Sequence, residues 1–220
     1  ALRHELGEMP PDAPDGGMPE PDMLLGCSMV CDPRWKWYQA LGRYKDTPAY
    51  NIEVLMPACD ADMDAIRPYY VRYMAEELRG LIDFLEIQAG TKMDYDRLMA
   101  LVKQVEETRD WWRKAYDLRK ATPCPMSTQD HFVIFVPHHM LLTDPMTLDF
   151  YKGLYQELKE RVDKKIGVIE DEKYRLLWAV GLPPWHSMYI LDYFLSKGAV
   201  FAAETAYPLP EPFDITPHIT

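Results

Sequence analysis

The sequence predicts an α/β fold in two lobes with parallel sheets, joined by a helical block. Three observations predict it. A short apolar run leads directly into a helix start between Pro21 and Tyr44 (PDMLLGCSMVCDPRWKWYQALGRY) and a second apolar run follows, which makes a strand–helix–strand unit. From Ile66 to about residue 170 the apolar residues recur at helical spacing. After residue 171 the strand–helix–strand texture returns. The expected divisions are residues 1–64, part of the first lobe, 65–170, the helical block, and 171–220, the start of the second lobe.

In chain order, Ala1–Leu6 suits the middle of a helix better than a start, and MPPDAPDGGMPEP is a turn-rich connector. Met23, Leu24, Leu25, Met29 and Val30 form a buried strand. Asp32 followed by Pro33 starts a helix, because aspartate caps free N–H groups and proline at the first helical position leaves no donor unpaired. That helix runs to about Tyr44, and Ala49–Leu55 is the next strand. Leu78, Leu81, Ile82 and Leu85 make one helical stripe, with Gly90 as its stop. Asp94 caps a helix carrying Leu98, Leu101, Val102, Val105, Trp112 and Tyr116, and Pro123–Pro137 is a loop with a short apolar segment. Thr143-Asp144-Pro145 opens a helix with Leu148, Tyr151, Tyr155, Leu158 and Val162 on one face. Tyr174–Val180 is a strand, Trp185–Ser196 a helix ending at Gly198, and Ala199–Thr205 a strand. The chain closes on the proline-rich run Pro208–Pro217, so a piece of a longer protein is expected at both ends.

With 220 residues, 48% of them hydrophobic, the chain can bury real cores. Its net charge of −11 argues against nucleic acid or an anionic membrane as the main partner. No apolar run reaches the roughly 18 residues of a membrane-spanning helix, and the N-terminus has no signal-peptide pattern, so a cytoplasmic location is expected. Four unevenly spaced cysteines suit reduced thiols or metal ligation better than a disulfide framework.

Cys31 lies at the hinge between strand and helix. In open α/β sheets ligands bind at that edge, and a helix N-terminus favours the thiolate, which serves as nucleophile or metal ligand. Cys27 and Cys31 are four apart, not the spacing of a CxxC motif, and by spacing alone they read as small packing residues. Cys59 and Cys124 have no partner at ligand spacing, and His138-His139 reads as a loop or helix-end pair. His186, after Pro183-Pro184-Trp185, stands at the second strand-to-helix junction and is the better site candidate. Trp35, Trp37, Tyr38, Trp111, Trp112 and Tyr116 serve either packing or stacking on a flat ligand, and one of Trp111 and Trp112 is expected to face outward, towards a partner. No Walker loop, GxGxxG, HExxH, GxSxG or EF-hand pattern is present.

Four stretches, PDMLLGCSMVCDPRWKWYQ, FLEIQAGTKMDYDRL, LRKATPCPMSTQDHF and DEKYRLLWAVGLPPWHSMYILDYFLSKGAVFAAETAY, resemble the family of ATP-dependent benzoyl-CoA reductases and (R)-2-hydroxyacyl-CoA dehydratases. PMSTQD, DFYKGLYQELKERVDKKIG and GAVFAAETAY look closest to a cluster-bearing subunit of benzoyl-CoA reductase. The resemblance implies flavodoxin- or Rossmann-like lobes and a [4Fe-4S] cluster on three cysteines. Cys31 takes the middle ligand position, with the other two ligands outside this chain. Cys27 stands close enough to tune the cluster without binding it. The resemblance also implies a related cluster-bearing partner subunit, an ATP-hydrolysing iron-sulfur activator, ferredoxin upstream and an acyl-CoA substrate. Electron transfer would dearomatise the ring of an aromatic thioester. In the dehydratase alternative a ketyl radical expels the 2-hydroxyl, and in a third reading the chain is a non-catalytic assembly subunit. Trp185 would contact substrate and His186 would take part in catalysis.

Overall fold

Leu24–Cys27 forms β1 and Ala49–Ile52 forms β2, paired in parallel with Leu24 opposite Ala49 and Cys27 opposite Ile52, in a computed structural model that describes residues 17, 20–29, 32–179 and 187–205. Parallel neighbours need a crossover, and α1 (Asp32–Lys45) supplies it. The chain is α/β, as its texture predicts, and forms two compact units, Ala1–Met93 and Asp94–Thr220.

In the first unit Leu24 and Leu41 are buried between β1 and α1. α2 (Met63–Ala89) begins earlier than the apolar stripe predicts, because the Asp62 carboxylate accepts from the amides of Asp64 and Ala65. It ends where expected: Gly90 takes the left-handed conformation, φ 65°, that a side chain disfavours. Tyr50 joins β2 to α2, its hydroxyl donating to the Glu77 carbonyl at 3.0 Å and its ring 5.5 Å from Phe84. The stripe Leu81, Ile82 and Leu85 is half-buried, while Leu78 is exposed.

In the second unit α3 (Tyr95–Asp117) is capped by Asp94 and α6 (Pro145–Asp163) by Asp144, both as predicted. Their facing stripes bury Trp112 against Tyr151, and Ala115 with Leu158 and Met126. A 3₁₀ turn, Leu118–Lys120, follows α3. Pro123–Pro137 is more regular than expected. Ser127 and Asp130 form a reciprocal capping box that starts α4 (Thr128–Ile134), and α5 (Val136–Met140) follows. Beyond them β3 (Tyr174–Trp178) pairs in parallel with β4 (Ala199–Glu204) through the crossover helix α7 (Tyr189–Ser196). Phe132 of α4, Leu191 of α7 and Phe201 of β4 share one core cluster. No helix among the described residues is long and apolar enough to cross a membrane.

Candidate functional site

Each unit presents the carboxyl edge of a parallel strand pair, the side on which ligands bind in open α/β sheets. In the first unit this edge is closed by Ser28, whose amide donates to the Ile52 carbonyl at 3.0 Å and whose hydroxyl accepts from the Val54 amide at 2.8 Å. A cavity of about 270 Å³ lies beside it, lined by Leu25, Gly26, Cys27, Arg34 and Tyr38. Arg34 folds back from the first turn of α1, and its Nη2 donates to Cys27 Sγ at 3.2 Å and to the Cys27 carbonyl at 3.4 Å. Two buried polar atoms here, Arg34 Nε and Asn51 Oδ1, have no hydrogen-bond partner. Gly26 makes the close approach possible, since a Cβ there would stand 2.4 Å from Asn51 Oδ1 and 2.7 Å from the Tyr38 ring.

The sequence reading singled out Cys27 but not Arg34. The two lie seven positions apart and meet only because the chain turns from strand to helix between them. Of the predicted site residues, Cys27 alone is described; Cys31, Trp185 and His186 lie outside the described residues. Cys27 is half-buried, Cys59 is exposed, and Cys124 is buried, with its Sγ directed at the Met126 carbonyl at 3.1 Å. Burial pushes the Cys124 thiol above its ordinary range. Among the described residues no three His, Cys, Asp or Glu side chains could hold a metal together. The described residues therefore do not by themselves form the ligand set of an iron-sulfur cluster, and Cys31 lies outside them.

At the carboxyl end of β4, Glu204 and Arg119 form a buried ion pair. Burial alone would raise the Glu204 carboxyl, but hydrogen bonds from Arg119, its charge, His131 and Thr128 together hold it below the usual carboxylate range. Burial pushes His131 down to about 4, against the pull of Glu204. Burial, with His139, Arg109, Arg113 and His131 nearby, pushes His138 to about 3. Tyr116 is raised to about 12, again chiefly by burial. The predicted helix-end pair is found at the end of α5, but the two imidazoles do not diverge. Both lie against Trp112, with centroids 4.1 and 6.3 Å away and Nδ1 atoms 3.5 Å apart. Trp111 does not face wholly outward as expected: it is partly buried against the same core cluster as Trp112 and packs edge-on to Tyr155 at 5.4 Å.

Arg119, Glu204, Thr128 and His131 were not singled out from the sequence. The available signal was Glu204 itself, an acid ending the apolar run AVFAAE.

The two strand–helix–strand units, each with one parallel strand pair, define an α/β protein. The chain matches the family model of the 2-hydroxyglutaryl-CoA dehydratase D-component over residues 2–215, and it belongs to that family. It is 26% identical over 193 residues to the alpha subunit of (R)-2-hydroxyisocaproyl-CoA dehydratase from Clostridioides difficile, covering 87% of this chain and 46% of that protein. It is 25% identical over 207 residues to lactoyl-CoA dehydratase subunit alpha from Anaerotignum propionicum, covering 90% and 46%. It is 25% identical over 175 residues to (R)-2-hydroxyglutaryl-CoA dehydratase subunit alpha from Acidaminococcus fermentans, covering 76% and 34%. The chain thus spans about half the length, or less, of the curated relatives it matches. These relatives support the dehydratase alternative better than closeness to benzoyl-CoA reductase.

Proposed function

We propose that this chain is part of the alpha subunit of an (R)-2-hydroxyacyl-CoA dehydratase, working in a heteromer with a related subunit and an ATP-hydrolysing iron-sulfur activator supplied by ferredoxin. The observation that carries the reading is the family match across residues 2–215, with alpha subunits of dehydratases among the relatives.

The reaction explains why such a protein needs more than acid and base. The thioester acidifies the proton at C2, but the proton lost in dehydration is at C3 and is not activated, while the departing hydroxyl sits on C2. A [4Fe-4S] cluster, when bound, would supply the low-potential electron that reverses this polarity by making a ketyl radical of the thioester. Cys31, after the first strand and before α1, is proposed as one ligand. Trp185 and His186, at the second strand-to-helix junction, are proposed to contact substrate and to take part in its chemistry. What the described residues do is bind and exclude. Gly26 lets Tyr38 and Asn51 close on the strand edge, and Arg34 offers a fixed positive charge at the cavity beside Cys27.

The resemblance of PMSTQD and GAVFAAETAY to benzoyl-CoA reductase subunits supports a second reading, an aromatic-ring reductase. One anaerobic experiment on the intact complex separates them: turnover of (R)-2-hydroxyisocaproyl-CoA, (R)-lactoyl-CoA, (R)-2-hydroxyglutaryl-CoA and benzoyl-CoA, with iron analysis of each variant. Turnover of a hydroxyacyl-CoA, lost together with cluster iron in Cys31→Ser and lost with iron retained in His186→Ala, is the expected result. Turnover of benzoyl-CoA alone moves the chain to the reductases. A Cys31→Ser complex that assembles with full activity makes it an assembly subunit.

A further inference from the structure

The carboxylate of Glu204 and the guanidinium of Arg119 are each about 1% exposed. Arg119 reaches Glu204 from the 3₁₀ turn across 85 positions of sequence and closes two parallel bonds, Nη1 to Oε1 at 2.8 Å and Nη2 to Oε2 at 2.9 Å. Arg119 donates elsewhere as well: Nε to the Met126 carbonyl at 3.1 Å, and Nη2 to Thr128 Oγ1 at 2.8 Å and the Phe201 carbonyl at 3.3 Å. The Thr128 hydroxyl also bonds Glu204 Oε2, and His131 Nε2 stands 3.4 Å from Oε1. Burying two charges gains little stability, because lost hydration offsets their attraction and apolar residues of like volume often pack as well. What the pair adds is direction: a bidentate contact fixes distance and angle together.

The strand is shaped to allow this contact. Side chains alternate along a strand, so Phe201 and Glu204, three apart, would ordinarily face opposite sides. Yet Phe201 joins Phe132 of α4 in one cluster, and Glu204 meets Thr128 and His131 of the same helix. The ladder explains it. Leu176 pairs with Phe201 and Leu177 with Ala203, so Ala202 is an extra residue, a bulge that resets the alternation just before the acid. Past the bulge, the Thr205 amide donates to the Trp178 carbonyl at 3.0 Å and ties the ends of both strands.

We propose that the Ala202 bulge and the Arg119–Glu204 pair form a positioning device for the carboxyl edge of the β3–β4 sheet, with Arg119 and Glu204 as positioning residues for the reaction at that edge; this rests on the dehydratase reading above. The device sets where the two strands end.

The test compares the intact anaerobic complex with Glu204→Gln and with the apolar pair Arg119→Met/Glu204→Leu, by melting temperature, amide exchange at Ala203–Thr205, and kcat and KM for (R)-2-hydroxyisocaproyl-CoA. The apolar pair is expected to melt close to wild type, to exchange on the order of tenfold faster at Ala203–Thr205, and to lose kcat by on the order of ten- to a hundredfold with KM little changed. Glu204→Gln keeps the shape and a hydrogen-bond acceptor but leaves the buried Arg119 charge uncompensated, so it is expected to melt lower than wild type while its folded state retains the larger part of kcat. An apolar pair with wild-type kcat and exchange overturns the proposal, because the ion pair then only fills space. Failure of both variants to fold overturns it too, since the role is then structural. A wild-type complex inactive on every 2-hydroxyacyl-CoA sinks the dehydratase reading alone, because exchange at Ala203–Thr205 still reads the device.

Discussion

His131 and His138 sit in the second unit as neutral imidazoles against Trp112, His131 stacked at 5.7 Å and 29° to the indole and His138 edge-on at 4.1 Å and 62°. Folding lowers their proton affinity, to about 4 and about 3 from an ordinary 6.5, so the folded state binds fewer protons than the unfolded one over that interval. The stabilisation is complete above about pH 6.5 and is lost as pH falls towards 4 and below. Glu204 acts in the same direction lower down, its contribution fading as pH falls below 4.5. At about 1.4 kcal/mol for each tenfold change in proton affinity, each histidine costs the fold on the order of 3 kcal/mol by pH 4. Urea unfolding at a series of pH values should show this slope, and His131→Gln should flatten part of it. An unchanged slope in the variant would place the acid sensitivity elsewhere.

At the scale of elements, the helices were legible wherever an apolar stripe coincided with a cap. Asp94, Asp144 and Gly90 each mark a boundary that the structure keeps. α4 was missed because seven residues are too few for a stripe; its signal was Ser127 with Asp130, a short-range pattern lying among prolines. The strands were placed correctly but drawn too long, Ala49–Leu55 against the observed Ala49–Ile52, because an apolar run does not record where pairing stops. The cavity at β1 was legible only as a hinge. Arg34 reads as a surface charge in sequence, and its contact with Cys27 depends on the turn geometry. Gly26 offers a test of that geometry. Gly26→Ala should destabilise the first unit by about 1 to 3 kcal/mol through overpacking against Asn51 and Tyr38, and should close the cavity beside Cys27. Thermal unfolding measures the first effect, and alkylation of Cys27 by iodoacetamide measures the second. Unaltered stability and labelling would show that the neighbours yield without cost.

At the scale of the molecule, the two units carry their order differently. α2 has no fully buried residue over its 27 positions and leaves Tyr69, Val71 and Ile87 exposed, whereas α3 and α6 bury Trp112, Ala115, Tyr151 and Leu158 against each other. A single sequence yields the parallel strand pairs and the stripes because both follow from local pattern. It does not yield the Arg119–Glu204 pair, whose partners lie 85 positions apart with ordinary local contexts. Substrate choice and subunit partners belong to this largest scale, and there the family match over residues 2–215 informs more than periodicity does.

That 85-residue span has a consequence for the order in which the second unit assembles. Trp112 and Tyr151 need close a loop of only 39 positions, and their helices gain packing as soon as they meet. Glu204 can reach Arg119 only after β3, α7 and β4 exist and the bulge is set. Loop closure slows such distant contacts, so the helix pair should be formed in the folding transition state and the ion pair should not. Kinetic analysis should therefore give Leu158→Ala, which cuts the packing of α6 on Ala115 of α3, a φ-value near 0.5 or above and Glu204→Gln a value near zero. In that case Glu204→Gln would hasten unfolding while leaving the refolding rate untouched. A high φ-value at Glu204 would mean that the distant strand docks first and that the helices condense on it.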